Sequence, residues 1–184
     1  MANCANIKNF TYDACQGNIG GVKKVWIANY VDGAAGEIPT SGDTEGMITG
    51  FTSAVTSGSF YEFQFRKNTA SMTSTLNVND NGSSYVSTEL NMIFSRMDAD
   101  KRAAIMSLVL SEAMVVVEDC NGIRWFLGEL NPVSATAGTG ETGQQKADNN
   151  AYNITLTDDN NGFPRQFTVS NFDSNYVYKA VEGD

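Results

Sequence analysis

The stretch STLNVNDNGSSYVSTELNMIF, residues 74–94, has an alternating run on each side of Asn81-Gly82. Apolar and polar residues that alternate with a period of two are typical of half-buried β-strands. An Asn-Gly pair between two such runs predicts a tight hairpin turn. The sequence therefore predicts one long hairpin with a packed face and a polar face, and almost none of its side chains is reactive.

The two faces of this hairpin follow from the alternation, because successive side chains of a strand point to opposite sides. The predicted inner face consists of Met72, Ser74, Leu76, Val78, Val86, Thr88, Leu90, Met92 and Phe94. The predicted outer face consists of Thr73, Thr75, Asn77, Ser87, Glu89 and Asn91. The outer side chains can form hydrogen bonds but carry little charge.

Further strands are predicted from β-branched and aromatic runs bounded by turn residues. A second hairpin is predicted around Asn121-Gly122, and Tyr61, Phe63 and Phe65 are predicted to point to one side of a half-buried strand. The remaining strand segments are VKKVWIANYV (22–31), AYNITLTD (151–158), RQFTVSNF (165–172) and NYVYKAV (175–181).

One helix is predicted in SRMDADKRAAIMSLVLSEA, residues 95–113. Asp98 is its expected N-cap, and Ile105, Leu108 and Val109 recur at helical spacing. Many strands with one helix favour a mainly β (α+β) fold, a β-sandwich or barrel with one flanking α-helix. We expect a single domain over residues 1–184, with long loops at 32–59 and 132–150 and a C-terminal extension at 173–184.

The charge balance excludes several classes of partner. The net charge is −9 and the pI is near 4.4, which disfavours binding to nucleic-acid phosphates or anionic lipid. The first residues, MANCANIKNFTYDAC, contain no apolar stretch, so we expect no signal peptide, no membrane span and synthesis in a cytoplasm. Three cysteines, Cys4, Cys15 and Cys120, then indicate free thiols and no disulfide framework.

Residues for catalysis, cofactor binding or metal binding are not apparent. The chain has no histidine, which removes the commonest general base and metal ligand. GTGETG (138–143) matches a dinucleotide motif but lacks the flanking strand and helix, so we interpret it as a flexible loop. NVNDNG (77–82) is interpreted as a hairpin turn, because a calcium loop would need a glutamate at the position of Thr88. TDDNNG (157–162) contains more oxygen ligands, but it is also interpreted as a solvated hairpin turn.

Two alternatives from other functional classes are kept open. Paired carboxylates support hydrolysis in some enzymes, and Glu118-Asp119 and Asp158-Asp159 are adjacent acids. Neighbouring strand residues face opposite sides, so neither pair makes a site alone, and we expect no enzymatic activity. A carbohydrate- or protein-binding β-sandwich would use exposed aromatic side chains, for which Trp26, Trp125 and Tyr61 are the candidates.

The order of these segments resembles the major tail (tail tube) proteins of tailed bacteriophages, of the kind found in phages of Bacteroidales-type hosts. The resemblance covers residues 2–172. It is carried by ANCANIKNFTYDAC, GNIGGVKKVWIANY, a Gly/Thr-rich loop, FYEFQF, the hairpin of residues 74–94, DADKRAAIMSLVLS, VVVEDCNGIRWFLG and NITLTDDN. The C-terminal NYVYKAVEGD departs from it.

The resemblance implies a structural virion protein without cofactors. Such subunits form rings, expected to be hexameric, whose sheets join into an inner barrel around a channel. The rings stack through long loops and the N-terminal segment, and DNA passes through the channel during ejection without specific binding. The implied partners are further copies and the terminator, tape measure and baseplate proteins. A head–tail joint, terminator or baseplate ring protein with the same fold remains the close alternative.

Overall fold

The computed structural model describes residues 18–40, 46–80 and 82–179. Three antiparallel sheets are present in this part of the chain, in the strand orders β11-β8-β7-β1-β4, β5-β6-β10-β9 and β2-β3. They are called the first, second and third sheets below. The elements are β1 (Val22–Asn29), β2 (Ala35–Glu37), β3 (Gly50–Phe51), β4 (Tyr61–Phe63), β5 (Ala70–Val78), β6 (Ser84–Ser95), α1 (Ala99–Val109), β7 (Ala113–Asp119), β8 (Arg124–Leu127), β9 (Ser134–Glu141), β10 (Ala151–Asn160), β11 (Arg165–Gln166) and α2 (Phe172–Asn175). The prediction of a mainly β fold is confirmed.

The main core lies between the first and second sheets. Val25 and Val117 from the first sheet belong to the same buried cluster as Leu90 and Ile154 from the second. Helix α1 adds two buried side chains to this cluster, and the Asp98 carboxylate caps the helix by accepting from the Lys101 backbone N–H at 2.8 Å. Both predicted hairpins form, and the five predicted inner residues of β6 are all buried. The prediction of a packed inner face is wrong for Leu76 and Val78 of β5, which are exposed because this end of the edge strand extends beyond the main core.

A second core covers the opposite face of the first sheet. Trp26, Val116 and Phe126 project from that face and pack against Phe60 and Phe172. The central strand β7 is therefore buried on both faces, which explains its continuous apolar sequence AMVVV. A strand that is buried on one face only has an alternating pattern. The pattern of β7 is continuous because the second core covers its other face.

The segment at residues 32–59 differs from the long loop that was predicted. Its described part contains β2 and β3, and Ile48 and Val55 are buried in the second core. Phe51 lies in contact with several aromatic rings, with its centroid 5.5 Å from that of Phe60. Short apolar stretches between glycines give only a weak prediction of β-strand. Burial of their few large side chains in the second core nevertheless holds this segment in one conformation. Residues 41–45 lie outside the described part.

The segment at residues 132–150 also differs from the prediction. Its first half is the eight-residue strand β9, paired with β10, while residues 142–150 are exposed turns. Half of the residues in β9 are Gly or Ala, which have weak strand propensity, so pairing with β10 decides its conformation. By contrast β4 is shorter than expected and ends at Phe63, although Phe63 and Phe65 both pack against the main core.

The predicted extension at residues 173–184 is placed by the structure as far as residue 179. Asp173 lies in the four-residue helix α2 and pairs with Arg124, while Tyr176 packs against Phe51. Val177 forms a single bridge with Phe60, where a strand had been predicted. These contacts make the segment part of the layer over the second core. Residues 180–184 lie outside the described part.

Candidate assembly surface

The second sheet presents one face away from the main core, which we call the polar face. The registers of its four strands place hydroxyl and amide side chains on this face, exposed or half-buried. Thr136 and Thr157 form a cross-strand hydroxyl contact there at 2.7 Å. The face consists mainly of Ser71, Thr73, Thr75, Asn77, Ser87, Glu89, Asn91, Thr136, Thr139, Asn153, Thr155 and Thr157. The outer side chains predicted from the hairpin alone all lie on it.

The strands of the second sheet carry negatively charged side chains and no positively charged ones. Strands β5, β6, β9 and β10 contain no lysine or arginine, although the chain has 12 of these residues. Their acidic residues are Glu89, Glu141, Asp158 and Asp159. A surface with carboxylates and no cations repels a polyanion and offers no group that neutralises phosphate.

Both edges of the second sheet are open in the described part of the chain. β5 is nine residues long and β9 eight, and each pairs along one side only. Monomeric proteins commonly protect such edges with lysine, proline or a covering segment, because an open edge pairs with other chains. β5 contains no charged residue and no proline, and β9 carries only Glu141 at its end. These edges are suited to pairing.

Two glycines in β9 explain the motif that resembles a nucleotide loop. A Cβ at Gly138 would lie 3.1 Å from Ile154 Cδ1, and a Cβ at Gly140 would lie 3.0 Å from Tyr152 Cδ1. The side chains of β10 therefore lie across these glycines. The interpretation of residues 138–143 as a flexible loop is wrong for 138–141, which form a paired strand.

An apolar groove runs between α1 and β9, with a volume of about 370 Å³. Ile105, Met106 and Val109 form its helix side, and Tyr152 and Ile154 form its floor beside the β9 glycines. Ile105 is buried, while Met106 and Val109 are substantially exposed. The groove thus places exposed apolar side chains next to an open sheet edge.

The first acid pair supports the fold through separate contacts. Glu118 is buried and contacts Lys23 Nζ at 2.9 Å and Arg124 Nε at 3.0 Å. Burial would raise the pKa of the Glu118 carboxyl, but hydrogen bonds from these two cations outweigh it and the pKa is lowered. Asp119 instead accepts from the backbone N–H groups of Asn121 and Ile123, at 2.8 and 2.9 Å. It thereby stabilises the Asn-Gly turn.

The second acid pair is split between the two faces of β10. Asp158 points to the core side, is buried, and accepts from the Gly128 backbone N–H at 3.2 Å. Burial raises the pKa of its carboxyl, although hydrogen bonds from Gly128 and Asn160 lower it in part. Asp159 is exposed, opposite Ser87 on the polar face. The two carboxylates therefore do not meet.

The three aromatic candidates for sugar binding are not brought together. Trp26 pairs with Val116 and Trp125 with Val117, so the two indoles lie on opposite faces of the first sheet. Trp26 is buried, and Trp125 Nε1 contacts Asp119 Oδ2 at 3.3 Å. Tyr61 is exposed on β4, with its ring 5.2 Å from that of Tyr178.

The remaining motifs have local structural roles. In the turn after β5, the Gly82 N–H donates to the Asn79 carbonyl at 2.9 Å, and residues 157–160 form the end of β10. Cys120 is a half-buried free thiol, whereas Cys4 and Cys15 lie outside the described residues. Across residues 18–40, 46–80 and 82–179, no three Cys, Asp or Glu side chains form a cluster suited to a metal ion.

Comparison with protein-family models gives no match to this chain, and comparison with curated proteins gives none either. Neither helix in the described part of the chain is both long and apolar enough to cross a membrane. The features that bear on function are therefore the polar face, the two open edges and the apolar groove.

Proposed function

We propose that the protein is a structural virion protein, the tail tube subunit of a bacteriophage. In this proposal it forms stacked homo-oligomeric rings, six copies each, around a channel through which DNA passes. The family resemblance of residues 2–172 supports it, together with the second sheet. The observation that carries it is that this sheet combines a cation-free polar face with two open edges.

Strand direction makes ring formation straightforward. The four strands of the second sheet alternate in direction, so β5 and β9 at its two edges run antiparallel to each other. A second copy that adds its β5 to β9 continues the antiparallel order, and every added copy again offers an open β9. A contact between two different surfaces repeats until a ring closes, and closure removes both open edges.

The chemistry of the polar face suits the wall of a DNA channel. Once the sheets close into a barrel, its lining would be Thr, Ser and Asn with carboxylates and no lysine or arginine. DNA is held by proteins mainly through cations that neutralise phosphates. A wall without cations lets DNA slide past without specific binding.

The resemblance implies that stacked rings meet through the long loops, and we assign these contacts to only one of the two loops. The described part of residues 32–59 is packed on the second core and contributes to the subunit's own fold. Residues 142–150 are exposed throughout, so we assign ring-to-ring contacts to this segment. The protein would be made in the host cytoplasm, reside in the phage tail, and contact the terminator, tape measure and baseplate proteins.

Negative-stain electron microscopy of the purified protein over a concentration series, with light scattering, tests the proposal. Hollow tubes of uniform diameter are the expected result. Single rings that never stack would favour a head–tail joint, terminator or baseplate ring protein. A monomer at every concentration would count against a tube subunit. Quenching of Trp125 fluorescence in a sugar titration would then test the binding-domain alternative.

A further inference from the structure

We propose that β9 of one copy pairs antiparallel with β5 of the next in a single register. This register places Gly138 opposite the next copy's Ser74, and Thr139 opposite the next copy's Thr73. The inference rests on the ring assembly proposed above and specifies its contact. It follows from strand length, from the faces of the sheet, and from the geometry of closed barrels.

Strand length leaves three registers that pair β9 along its whole length. Thr136 is an extra residue at a bulge in β9, so β9 offers seven pairing positions against the nine residues of β5. Glu141 then lies opposite Ala70, Ser71 or Met72 of the next copy, and any other shift leaves part of β9 unpaired. Since open backbone groups favour maximal pairing, these three registers are the ones to compare.

The faces of the sheet select one of the three. Gly138 lies opposite Ile154 on the core side of its sheet. Ser74 is also on the core side of β5, where its hydroxyl lies 2.8 Å from that of Thr88. A shift by one residue in either direction would turn every side chain of β5 to the wrong face. Only the register with Glu141 opposite Ser71 keeps core side next to core side, with Ala135 beside Leu76 once the bulge at Thr136 is passed.

Barrel geometry provides an independent check on this register. Within one copy, Gly138 aligns across the sheet with Ile154, Met92 and Ala70. The proposed pairing brings Ser74 of the next copy into this row, so each copy is displaced from Ala70 to Ser74 along the strand direction. The displacement along the strands is four residues at ~3.3 Å each, and the width of one copy is four strands at ~4.8 Å each. Their ratio corresponds to a strand tilt of about 35° from the barrel axis. Strands of closed barrels typically tilt by roughly 35–45°.

The side chains brought together by this register are complementary. Leu76 and Val78 are 53% and 70% exposed, although they lie on the core side of β5. The register brings Leu76 beside Ala135 and Val78 to the start of β9, next to the apolar groove formed with Met106 and Val109 of α1. Exposed apolar surface on each copy is thereby covered by the other.

The polar face continues across the same junction. Thr139 meets the next copy's Thr73, and Ala137 meets the next copy's Thr75. No charged pair arises along the contact, because β5 has no charge and β9 has only Glu141. Directly opposed threonines stabilise antiparallel strands. Within one copy, Thr136 and Thr157 already form a cross-strand hydroxyl contact.

Cysteine cross-linking tests the register. Thr73→Cys and Thr139→Cys are combined in a chain whose Cys4, Cys15 and Cys120 are replaced by serine. In one copy these positions lie on opposite edges of the second sheet, and the three strand spacings between them alone amount to about 14 Å. A disulfide needs Cβ atoms about 3.5–4.5 Å apart, so it forms only between copies. Mild oxidation is expected to give a ladder of covalent oligomers on non-reducing gels.

The matched control combines Thr75→Cys with Thr139→Cys, which moves one thiol by two residues on the same face. This pair is expected to cross-link at least about tenfold less, because diagonal neighbours lie roughly 7–8 Å apart. Circular dichroism and electron microscopy on the same samples report folding and assembly. Equal or stronger cross-linking of the control would overturn the register.

The remaining outcomes separate the register from the tube function. Rings or tubes without the Thr73–Thr139 cross-link would overturn the register and leave the function standing. Cross-linked chains that form open sheets instead of rings would support the register and contradict the function. A folded protein that stays monomeric and uncross-linked up to millimolar concentration would overturn both.

Discussion

Arg124 connects three parts of the fold through one side chain. Its guanidinium pairs with Glu118 at 3.0 Å and with Asp173 at 2.7 Å, and it lies 4.9 Å from the centre of the Trp26 ring. Arg124→Ala leaves the buried Glu118 with Lys23 as its only cation partner among these contacts. We expect this variant to lower the free energy of unfolding by about 2–3 kcal/mol.

Urea unfolding of Arg124→Ala, followed by circular dichroism, measures this loss. Arg102→Ala is the control, since Arg102 is exposed on α1, and it is expected to stay within roughly 0.5 kcal/mol of the parent protein. Similar losses in both variants would mean that the Arg124 contacts contribute no more than an ordinary surface arginine.

Asp158 is expected to make stability depend on pH. Burial raises the pKa of its carboxyl in the folded state above that in the unfolded state. Between these two pKa values the folded protein binds more protons, so the Asp158 contribution to stability falls as the pH rises. Asp158→Asn removes this titration, and we expect the variant to gain stability over the parent as the pH is raised from about 4 towards neutral.

Unfolding free energies at a series of pH values between about 4 and 8 test this expectation. Asp159→Asn changes the neighbouring exposed carboxylate by the same chemistry and serves as the control. A parallel pH dependence of Asp158→Asn and the parent would show that burial of Asp158 has no effect on its titration.

Among the strands, β5 allows its two edges to be tested separately. Successive backbone N–H groups of a strand point to opposite sides, one towards β6 and one towards the open edge. Thr75→Pro and Leu76→Pro each remove one of these N–H groups, and both residues are exposed. Proline is tolerated where the N–H faces solvent but removes a hydrogen bond where it faces a partner strand.

We therefore expect the two proline variants to behave differently. One is expected to lose thermal stability as a monomer, because it breaks a β5–β6 hydrogen bond. The other is expected to remain as stable as the parent but to fail in assembly, because it blocks the open edge. Melting temperature and light scattering measure the two effects. A variant with parental stability and parental assembly would exclude β5 as the contact edge.

For the proposed tube, the polar face predicts how the proposed channel would respond to a change of charge. Glu89→Lys places a cation on this face in every copy, whereas the parent sheet has none. We expect tubes of the variant to retain short DNA duplexes, with an affinity that falls steeply as salt increases. Parent tubes are expected to show no binding. Co-sedimentation of labelled DNA with the tubes at several salt concentrations measures this.

Glu62→Lys is the matched control for this experiment. It makes the same change of charge on exposed strand β4 of the first sheet, away from the polar face. Retention of DNA by Glu62→Lys as strong as by Glu89→Lys would show that the change in net charge matters more than the place of the cation. The polar face would then not be the channel wall.

The sequence was sufficient where a local pattern matched its environment. The hairpin of residues 74–94 and the capped helix α1 were predicted, because one face packs and the other is polar. The polar face was also visible in the outer positions Thr73, Thr75 and Asn77. These features depend on the period of the pattern and on turn and cap residues close in sequence.

The tertiary structure decided the elements whose signal is distant in sequence. β9 is a strand because β10 pairs with it and covers Gly138 and Gly140, although its composition favours a loop. The apparent loop at residues 32–59 and the C-terminal segment are ordered by burial of Phe51 and Tyr176 in the second core. The contact of Phe51 with Tyr176 joins segments more than a hundred residues apart and leaves little trace in a local pattern, and the glycines of β9 hide its pairing with the next strand. The open edge of β9, on which the proposed assembly depends, therefore emerged only from the folded chain.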